Sequence, residues 1–420
     1  MNSPYSRIGL GDLNIQNFAA LNGIGGIAAA YHDPFNMNIL NPASYSYLDA
    51  TSFEVGLDAK RTFLQSNGVT EAVWSGNLSY ISLGFPMKNP INREVNPVKS
   101  PFFWGMNISL LPYSDVGYRV QTQEEDPNSG TIRYDYEGSG GTFKVHWGNA
   151  VRYNNFSVGL NLGYLFGKIS NERDVTFEDL EASYIDLLTD DFSVGGFVWN
   201  LGVQYDIIFK KMQDGELKPD GRRVTFGAYG NTANSIGINT SQVYLRLNPD
   251  YSVSSRIARD TIRFSEEISV GGKLPAEFAL GVAYSKDNKW RYGIDFSFAA
   301  WSQYENEAKP ENLSDSWRIA IGGEITPDYR SYNRYFSKVT YRYGAFYGKD
   351  PRGVGINLIH YGATIGMGMP IIMKNKVSFI NWSFEIGRLG AENALREIYG
   401  KFTLGFTLND RNWFLKRKFY

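Results

Sequence analysis

Apolar and polar residues alternate along most of the chain with a period of two. In Phe53–Lys60 the odd positions are apolar and the even ones small or charged. Such alternation needs a strand with one apolar face and one wet face. Phe102–Leu110 repeats it, with Trp104, Met106, Ile108 and Leu110 against Gly105, Asn107 and Ser109. Trp74–Phe85 is looser. The hairpin Tyr134–Phe166 carries Gly138-Ser139-Gly140-Gly141, then sets Val158, Leu160, Leu162, Tyr164 and Phe166 against Gly159, Asn161 and Gly163. Further strands are expected at Phe192–Phe209, Arg223–Tyr229, Phe278–Tyr284, Trp290–Trp301, Trp317–Ile325, Phe336–Tyr347, Leu358–Met369, Val377–Ile386 and Lys401–Leu408. The total is about fourteen, an even number that suits a single-chain antiparallel transmembrane barrel.

Connection lengths give a second reading. Short ones fall at Tyr153–Asn155, Lys286–Asn288 and Met373–Lys376; long ones at Asn171–Asp191, Asn231–Pro275, Glu305–Ser314 and Gly348–Asn357. With both termini periplasmic, the short turns fall inside and the long loops outside. Met87–Ser100, long where a short turn is due, breaks the rule. Residues 262–272 read either as part of the long loop or as an additional strand.

Residues 1–50 are different. Leu10, Leu13, Phe18, Leu21 and Ile24 allow at most a short helix before Gly23, Gly25 and Gly26 interrupt it. The small residues Ala28, Ala29 and Ala30 and the turn tetrad Asn41-Pro42-Ala43-Ser44 follow. Such a segment packs its backbone closely against walls but makes no core of its own. The expectation is a hatch of residues 1–50 filling a barrel of residues 51–420. Gly23-x-Gly25 lacks the preceding strand and following helix of a phosphate loop.

Composition narrows the class. Net charge is −1, which offers no basic field for nucleic acid. Cysteine is absent, removing disulfides, thiolate metal sites and cysteine nucleophiles. Aromatics reach 15%, and Trp104, Tyr164, Trp301, Trp317 and Trp382 near strand ends suit interfacial girdles. No apolar run approaches the ~18–20 residues of a membrane-spanning helix. The first residues have no signal-peptide pattern, so the chain is either soluble or has lost its signal already. Strand after strand with a wet face of Gly, Ser, Asn and charge favours an outward apolar belt, and hence the outer membrane.

His32, His146 and His360 are isolated, with no metal-ligand spacing and no evident Ser–His pair, so neither an enzyme nor a cofactor site is expected. The acidic runs Glu124-Glu125-Asp126 and Asp190-Asp191 read as solvated loop faces. In Phe177–Leu188 the apolar residues Phe177, Leu180, Tyr184, Leu187 and Leu188 have helical spacing. Ile236, Ile238, Val243, Tyr244 and Leu247 lie in the next long loop. Pro112 implies a bulge, a kink or the end of the third strand.

The glycine-rich head with Asn41-Pro42-Ala43 resembles the hatch of the FadL/TodX family of outer-membrane transporters. Ser3-Pro4-Tyr5-Ser6-Arg7-x-Gly9-Leu10-Gly11, Pro112-Tyr113-Ser114-x-x-Gly117-Tyr118, Leu274-Pro275 and Trp413-Phe414-x-Lys416-Arg417-Lys418 are similar to its Bacteroidetes members. The resemblance implies a fourteen-stranded barrel with an internal hatch and a pocket for hydrophobic compounds. It also implies a lateral opening at Pro112, Tyr113 and Ser114, and an entry groove on the outer loops at Phe177, Leu180, Tyr184, Leu188, Tyr244 and Leu247. The last residues would serve as a barrel-assembly signal. Expected partners are membrane lipids, lipopolysaccharide and hydrophobic small molecules. The resemblance carries no substrate, because PorV-type relatives serve type IX protein secretion. The function expected first is passive uptake of hydrophobic small molecules with lateral exit through the barrel wall; the alternative is a non-transporting subunit of a larger outer-membrane assembly, for protein secretion or barrel biogenesis, that docks other outer-membrane proteins. A continuous apolar pocket favours the first; a polar, fully plugged interior favours the second.

Overall fold

The computed structural model describes residues 3–66, 68–88, 100–180, 183–213, 215–248, 258–353, 355–373, 376–391 and 394–411. The strands are β1 (Asp12–Leu13), β2 (Thr51–Ser66), β3 (Val69–Pro86), β4 (Phe102–Asp126), β5 (Gly130–Tyr153), β6 (Phe156–Phe177), β7 (Ile185–Gln213), β8 (Glu216–Asn231), β9 (Asn234–Leu247), β10 (Ala258–Leu274), β11 (Glu277–Lys286), β12 (Trp290–Ala299), β13 (Glu305–Asn306), β14 (Ser316–Ile325), β15 (Thr340–Lys349), β16 (Ile359–Met373), β17 (Lys376–Gly390) and β18 (Arg396–Asp410).

Fourteen of them, β2–β8, β11, β12 and β14–β18, form a closed antiparallel ring, as the alternation predicts. The last strand closes on the first, from Arg396 opposite Gln65 to Asp410 opposite Thr51. Closure pairs the backbone groups that an open sheet would leave facing lipid. The pleat sorts the side chains. Phe53 and Leu57 are exposed on the outside while Glu54 and Gly56 are buried inside. Leu160 and Leu162 likewise flank buried Asn161. An outward apolar belt on a closed ring is the architecture of an outer-membrane β-barrel.

Short turns at residues 154–155 and 287–289 mark one end of the ring, where Thr51 and Asp410 also lie. We call it the turn end, and the opposite one the loop end. Residues 326–339 make a longer connection at the turn end with a helical turn at Tyr335–Lys338, so β15 begins later than the expected Phe336. Most of the Met87–Ser100 exception, and the terminal residues 412–420, fall outside the described residues.

Several expectations need correction. The long Asn231–Pro275 loop is the hairpin β9–β10, so residues 262–272 are indeed strand, but outside the ring. β7 makes the switch: residues 201–213 pair with β8 and residues 185–195 with β9. Together with the upper parts of β4, β5 and β6, this hairpin raises a sheet above the loop end. The helical spacing in Phe177–Leu188 does not produce a helix among the described residues. Phe177 ends β6 and Ile185 begins β7, because each finds a ladder partner, Ile132 and Leu247. Trp301 leaves the wall after Ala299 and is buried in the lumen rather than placed in a girdle. The two ends of the described chain also do not share one side. Tyr5 donates to the Leu395 carbonyl at 2.7 Å, at the loop end, whereas Asp410 lies at the turn end.

Residues 3–50 run inside the ring from the loop end toward Thr51. They contribute one two-residue strand, a helical turn at Ala19–Asn22 and 3-10 turns at Pro4–Arg7 and Pro42–Tyr47. Leu21, Ile24, Ala29, Asn41 and Ala43 are fully buried.

Candidate functional site

The luminal segment lies directly on wall glycines. A Cβ on Gly105 would stand 1.9 Å from the Tyr45 carbonyl oxygen, one on Gly227 1.8 Å from that of Ala29, and one on Gly322 2.2 Å from that of Ile24. Gly159 and Gly344 meet the backbone of Pro42 and Gly25 in the same way, and Gly202 meets the side-chain oxygen of Asn41. These glycines belong to β4, β6, β7, β8, β14 and β15. The wet face read from sequence is therefore a seat for backbone, and its glycines are required by close approach.

The hatch candidates sit on this seat. Gly23 packs against Arg342 and Gly366. Gly25 and Gly26 have φ of +74° and +80°, values that L side chains rarely adopt, and the Gly25 N–H donates to Thr364 Oγ1 at 2.9 Å. Asn41 Nδ2 donates to the Ala29 carbonyl at 2.6 Å and to that of Val203 at 3.2 Å; its Oδ1 accepts from the Ala43 N–H at 3.1 Å. Asn41 thus caps the 3-10 turn that Pro42 opens, and ties it to the wall.

β3 and β4 do not pair along their full lengths. Their ladder runs from Pro86 opposite Gly105 to Ile81 opposite Leu110 and stops. β4 continues, paired with β5, through a register shift between Pro112 and Ser114. There the luminal segment takes the place of β3: Asp12 and Leu13 of β1 pair with Asp115 and Ser114, and the Asn14 N–H donates to the Tyr113 carbonyl at 2.9 Å. The side chains of Asn14 and Asn77 both donate to Asp115 Oδ2, at 2.6 and 3.2 Å. The three residues singled out from the motif thus lie on an interrupted seam closed by polar side chains.

Above the seat, the lumen is filled by the chain itself. Leu10, Tyr113, Leu165, Ile169, Phe192, Val194, Ile236, Ile238, Trp301, Tyr304 and Leu313 belong to one buried cluster. A cavity of about 360 Å³ remains with a mixed lining, in which Asp58, Lys60, Asp115, Lys144, Glu277, Asp295, Arg318, Lys349, Glu385 and Lys401 stand among Leu13, Ile15, Phe278, Phe298 and Leu389. Tyr399 in its wall donates to Glu385 at 2.5 Å and stands 2.7 Å from His360 Nε2. The charged groups of this lining are best served by water or ions.

The loop after β15 holds the luminal segment from above. Arg352 pairs with Asp12, and its Nε and Nη2 donate to the Asp350 carboxylate at 2.8 Å each. Burial works against charge on both partners. The guanidinium nevertheless holds the Asp350 carboxyl below its usual range, and the carboxylates hold Arg352 well above its own.

The residues expected at an entry groove on the outer loops lie mostly on strands. Leu188 and Tyr244 are ladder partners on β7 and β9, buried Leu247 faces Ile185, and Phe177 ends β6. Leu180 is exposed at the β6–β7 tip, and the Tyr184 ring lies under Arg246 and Arg259. Asp12, Asn77, Asp115 and Arg352 were not singled out from sequence, since their contacts join residues far apart in the chain.

The whole chain, residues 1–420, matches the family model described as BamG. The chain belongs to the BamG family. Solved structures similar to this BamG-family barrel include a Pseudomonas aeruginosa FadL homologue, at TM-score 0.59 and 13% identity over 95% of this chain and 99% of that one. The Pseudomonas putida toluene transporter TodX is similar at TM-score 0.56 and 15% identity over 96% and 99%. The Ralstonia pickettii toluene transporter TbuX is similar at 0.56 and 13% over 94% and 98%. No curated protein matches in sequence. At these identities the likeness is one of fold, and it bears out the FadL/TodX resemblance at that level.

Proposed function

We propose that this barrel is a non-transporting subunit of a larger outer-membrane assembly concerned with barrel biogenesis, in which its wall docks other outer-membrane proteins. The observation that carries this reading is the lumen. Its apolar space is occupied by Trp301, Tyr304, Leu10 and Leu313, and the cavity left over is lined by Lys60, Lys144, Glu277, Arg318 and Glu385. An apolar compound gains by leaving water, and the charged groups spread through this lining work against its passage. Membership of the BamG family supports the same reading, its name pointing to association with other outer-membrane proteins. In this reading the raised sheet faces outward, toward lipopolysaccharide, residues 1–50 act as a fixed plug, and the barrel performs no chemistry of its own.

The second reading is passive uptake of hydrophobic small molecules with lateral exit. It is favoured by the interrupted β3–β4 seam beside Pro112 and by the fold shared with two toluene transporters. Native purification in mild detergent separates the two. Stoichiometric partner proteins are expected, with uptake of a long-chain hydrophobic compound unchanged in a strain lacking the barrel. A barrel recovered alone with a bound apolar compound, together with lost uptake, would reverse the assignment.

A further inference from the structure

Among the described residues, β3, β4 and β10 each have an edge with no complete ladder; that of β4 is met by β1 at Ser114 and Asp115, and those of β3 and β10 are built differently. β10 pairs with β9 on one side, and on the other only its base meets β13, at Gly272 and Lys273. Its free edge carries Arg259, Asp260, Arg263, Glu266 and Glu267, and its pairing with β9 is broken by three register shifts. Charge and bulges are the devices by which proteins keep a sheet edge from accepting another strand.

β3 has little of either: its one register shift falls at Ser79, between Leu78 and Tyr80, and above Leu78 its ladder with β2 is unbroken. It pairs with β2 from Val69 to Gly84 with a single register shift, whereas its ladder with β4 ends at Ile81. Between Val69 and Ser79 the sequence holds one charge, Glu71, and no proline. The local segment that could cover this edge does not: β1 pairs with β4, on the far side of the seam. The Asn77–Asp115 side-chain bond crosses from β4 to β3.

The two faces beside this edge are chemically distinct. Leu78, opposite Leu57, points outward and is exposed. Ser75 and Asn77, opposite Lys60 and Asp58, line the charged cavity. A strand added here would meet lipid with one set of alternate side chains and a polar lumen with the other. Backbone donors and acceptors at the membrane surface, apolar neighbours outside and polar ones inside together specify one kind of occupant.

We propose that the edge of β3 above Leu78 accepts an extended segment of a partner protein as an added strand, one whose side chains alternate apolar toward lipid and polar toward the lumen. This rests on the subunit reading above and gives it a contact surface.

The test places a photoreactive residue at Ala72 or Gly76 in the full-length protein, irradiated in its own outer membrane, with Ser269 of β10 and Ile294 of β12 as controls. Expected is a protein adduct at 72 and 76 but not at 269 or 294, whose cross-linked peptide alternates apolar and polar residues. Gly76→Lys, or Ala72→Lys should the first fail to fold, abolishes the adduct while heat-modifiable migration of the barrel persists. Adducts to lipid alone, equal adducts at all four positions, or an adduct that survives the edge lysine would overturn the proposal. Co-purification separates this from the subunit reading. Partners retained at full stoichiometry by the lysine variant refute strand addition and leave the subunit reading standing. A wild-type barrel with no partner refutes both.

Discussion

Asn77 of β3 donates to Asp115 of β4 at 3.2 Å across a seam where the two strands share no backbone ladder. Asp115 also accepts from Asn14 at 2.6 Å, so one carboxylate ties both β3 and the luminal segment to β4. Elsewhere the ring is held by ladders of nine or more residue pairs, as between β14 and β15 or β11 and β12. Here it is held by side chains. Asp115→Ala is therefore expected to loosen the seam without unfolding the barrel. In planar bilayers the wild type should be closed and the variant should show small, brief conductance steps, because the charged cavity lies directly behind. Equal, silent traces from both would mean that the seam is held by β1 alone.

The seat beneath the luminal segment makes a sharper prediction. Gly227→Ala places a methyl 1.8 Å from the Ala29 carbonyl oxygen, where backbone meets backbone and no side chain can swing away. Overpacking of this kind costs about 1–3 kcal/mol. Gly215→Ala, in the β7–β8 turn, meets no atom within 4 Å, although its φ of +79° carries its own strain. Urea titration in detergent should show the larger loss for Gly227→Ala. It should also make residues 3–50 accessible to protease before the ring unfolds.

How far this architecture is legible in sequence depends on how local the determining interactions are. The ring strands are, since each carries its own alternation: Phe53, Leu57, Leu160 and Leu162 read outward and lie outward. The glycines of the wet face were visible, but what they meet was not, because Gly227 and Ala29 are far apart in the chain. Phe177–Leu188 misled because a helical spacing of apolar residues also fits a strand end followed by a tip and a strand start. Long-range pairing with Ile132 and Leu247 then decides. β10 was ambiguous because charge and bulges, which protect its edge, also erase the alternation by which a strand is recognised. In sequence Pro112 implies a bulge, a kink or a strand end. The ladder shows a register shift immediately after it, while β4 runs on for more than a turn of alternation toward Asp126.

Asp350 gives the loop-end latch a defined pH dependence. Burial disfavours its charge, yet paired Arg352 prevails and holds the carboxyl below its ordinary value. A group whose folded pKa is depressed contributes stability above its unfolded value, near ~3.9 for Asp, and loses it as pH falls through the folded value. The latch should therefore be unchanged from pH 8 to about 5 and weaken only below ~4. Thermal melts of the wild type should be flat over the first interval and fall in the second. Asp350→Asn should melt lower at neutral pH and show a shallower acid limb. A wild-type midpoint already falling between pH 8 and 6 would assign the dependence to other groups.

Leu160 and Asn161 are adjacent on β6 and lie on opposite sides of the wall. Leu160 is exposed on the outside, between Asn149 of β5 and Leu201 of β7. Asn161 is buried in the lumen, where its Nδ2 donates to the Ile39 carbonyl at 3.0 Å and its Oδ1 accepts from the Tyr45 hydroxyl at 2.9 Å. The two positions therefore fail for different reasons. Leu160→Arg sets a charge against the hydrocarbon, at about 2–4 kcal/mol if it sits near the midplane. That penalty should shrink when the barrel is refolded in a thinner bilayer, where the guanidinium reaches the headgroups. Asn161→Leu removes the donor to Ile39 and the acceptor for Tyr45, leaving buried groups unsatisfied at about 1–3 kcal/mol. Because that loss occurs inside the barrel, bilayer thickness should not alter it. Folding titrations of both variants in two lipids of different chain length measure the contrast. A thickness dependence for Asn161→Leu, or none for Leu160→Arg, would place the belt elsewhere on the wall.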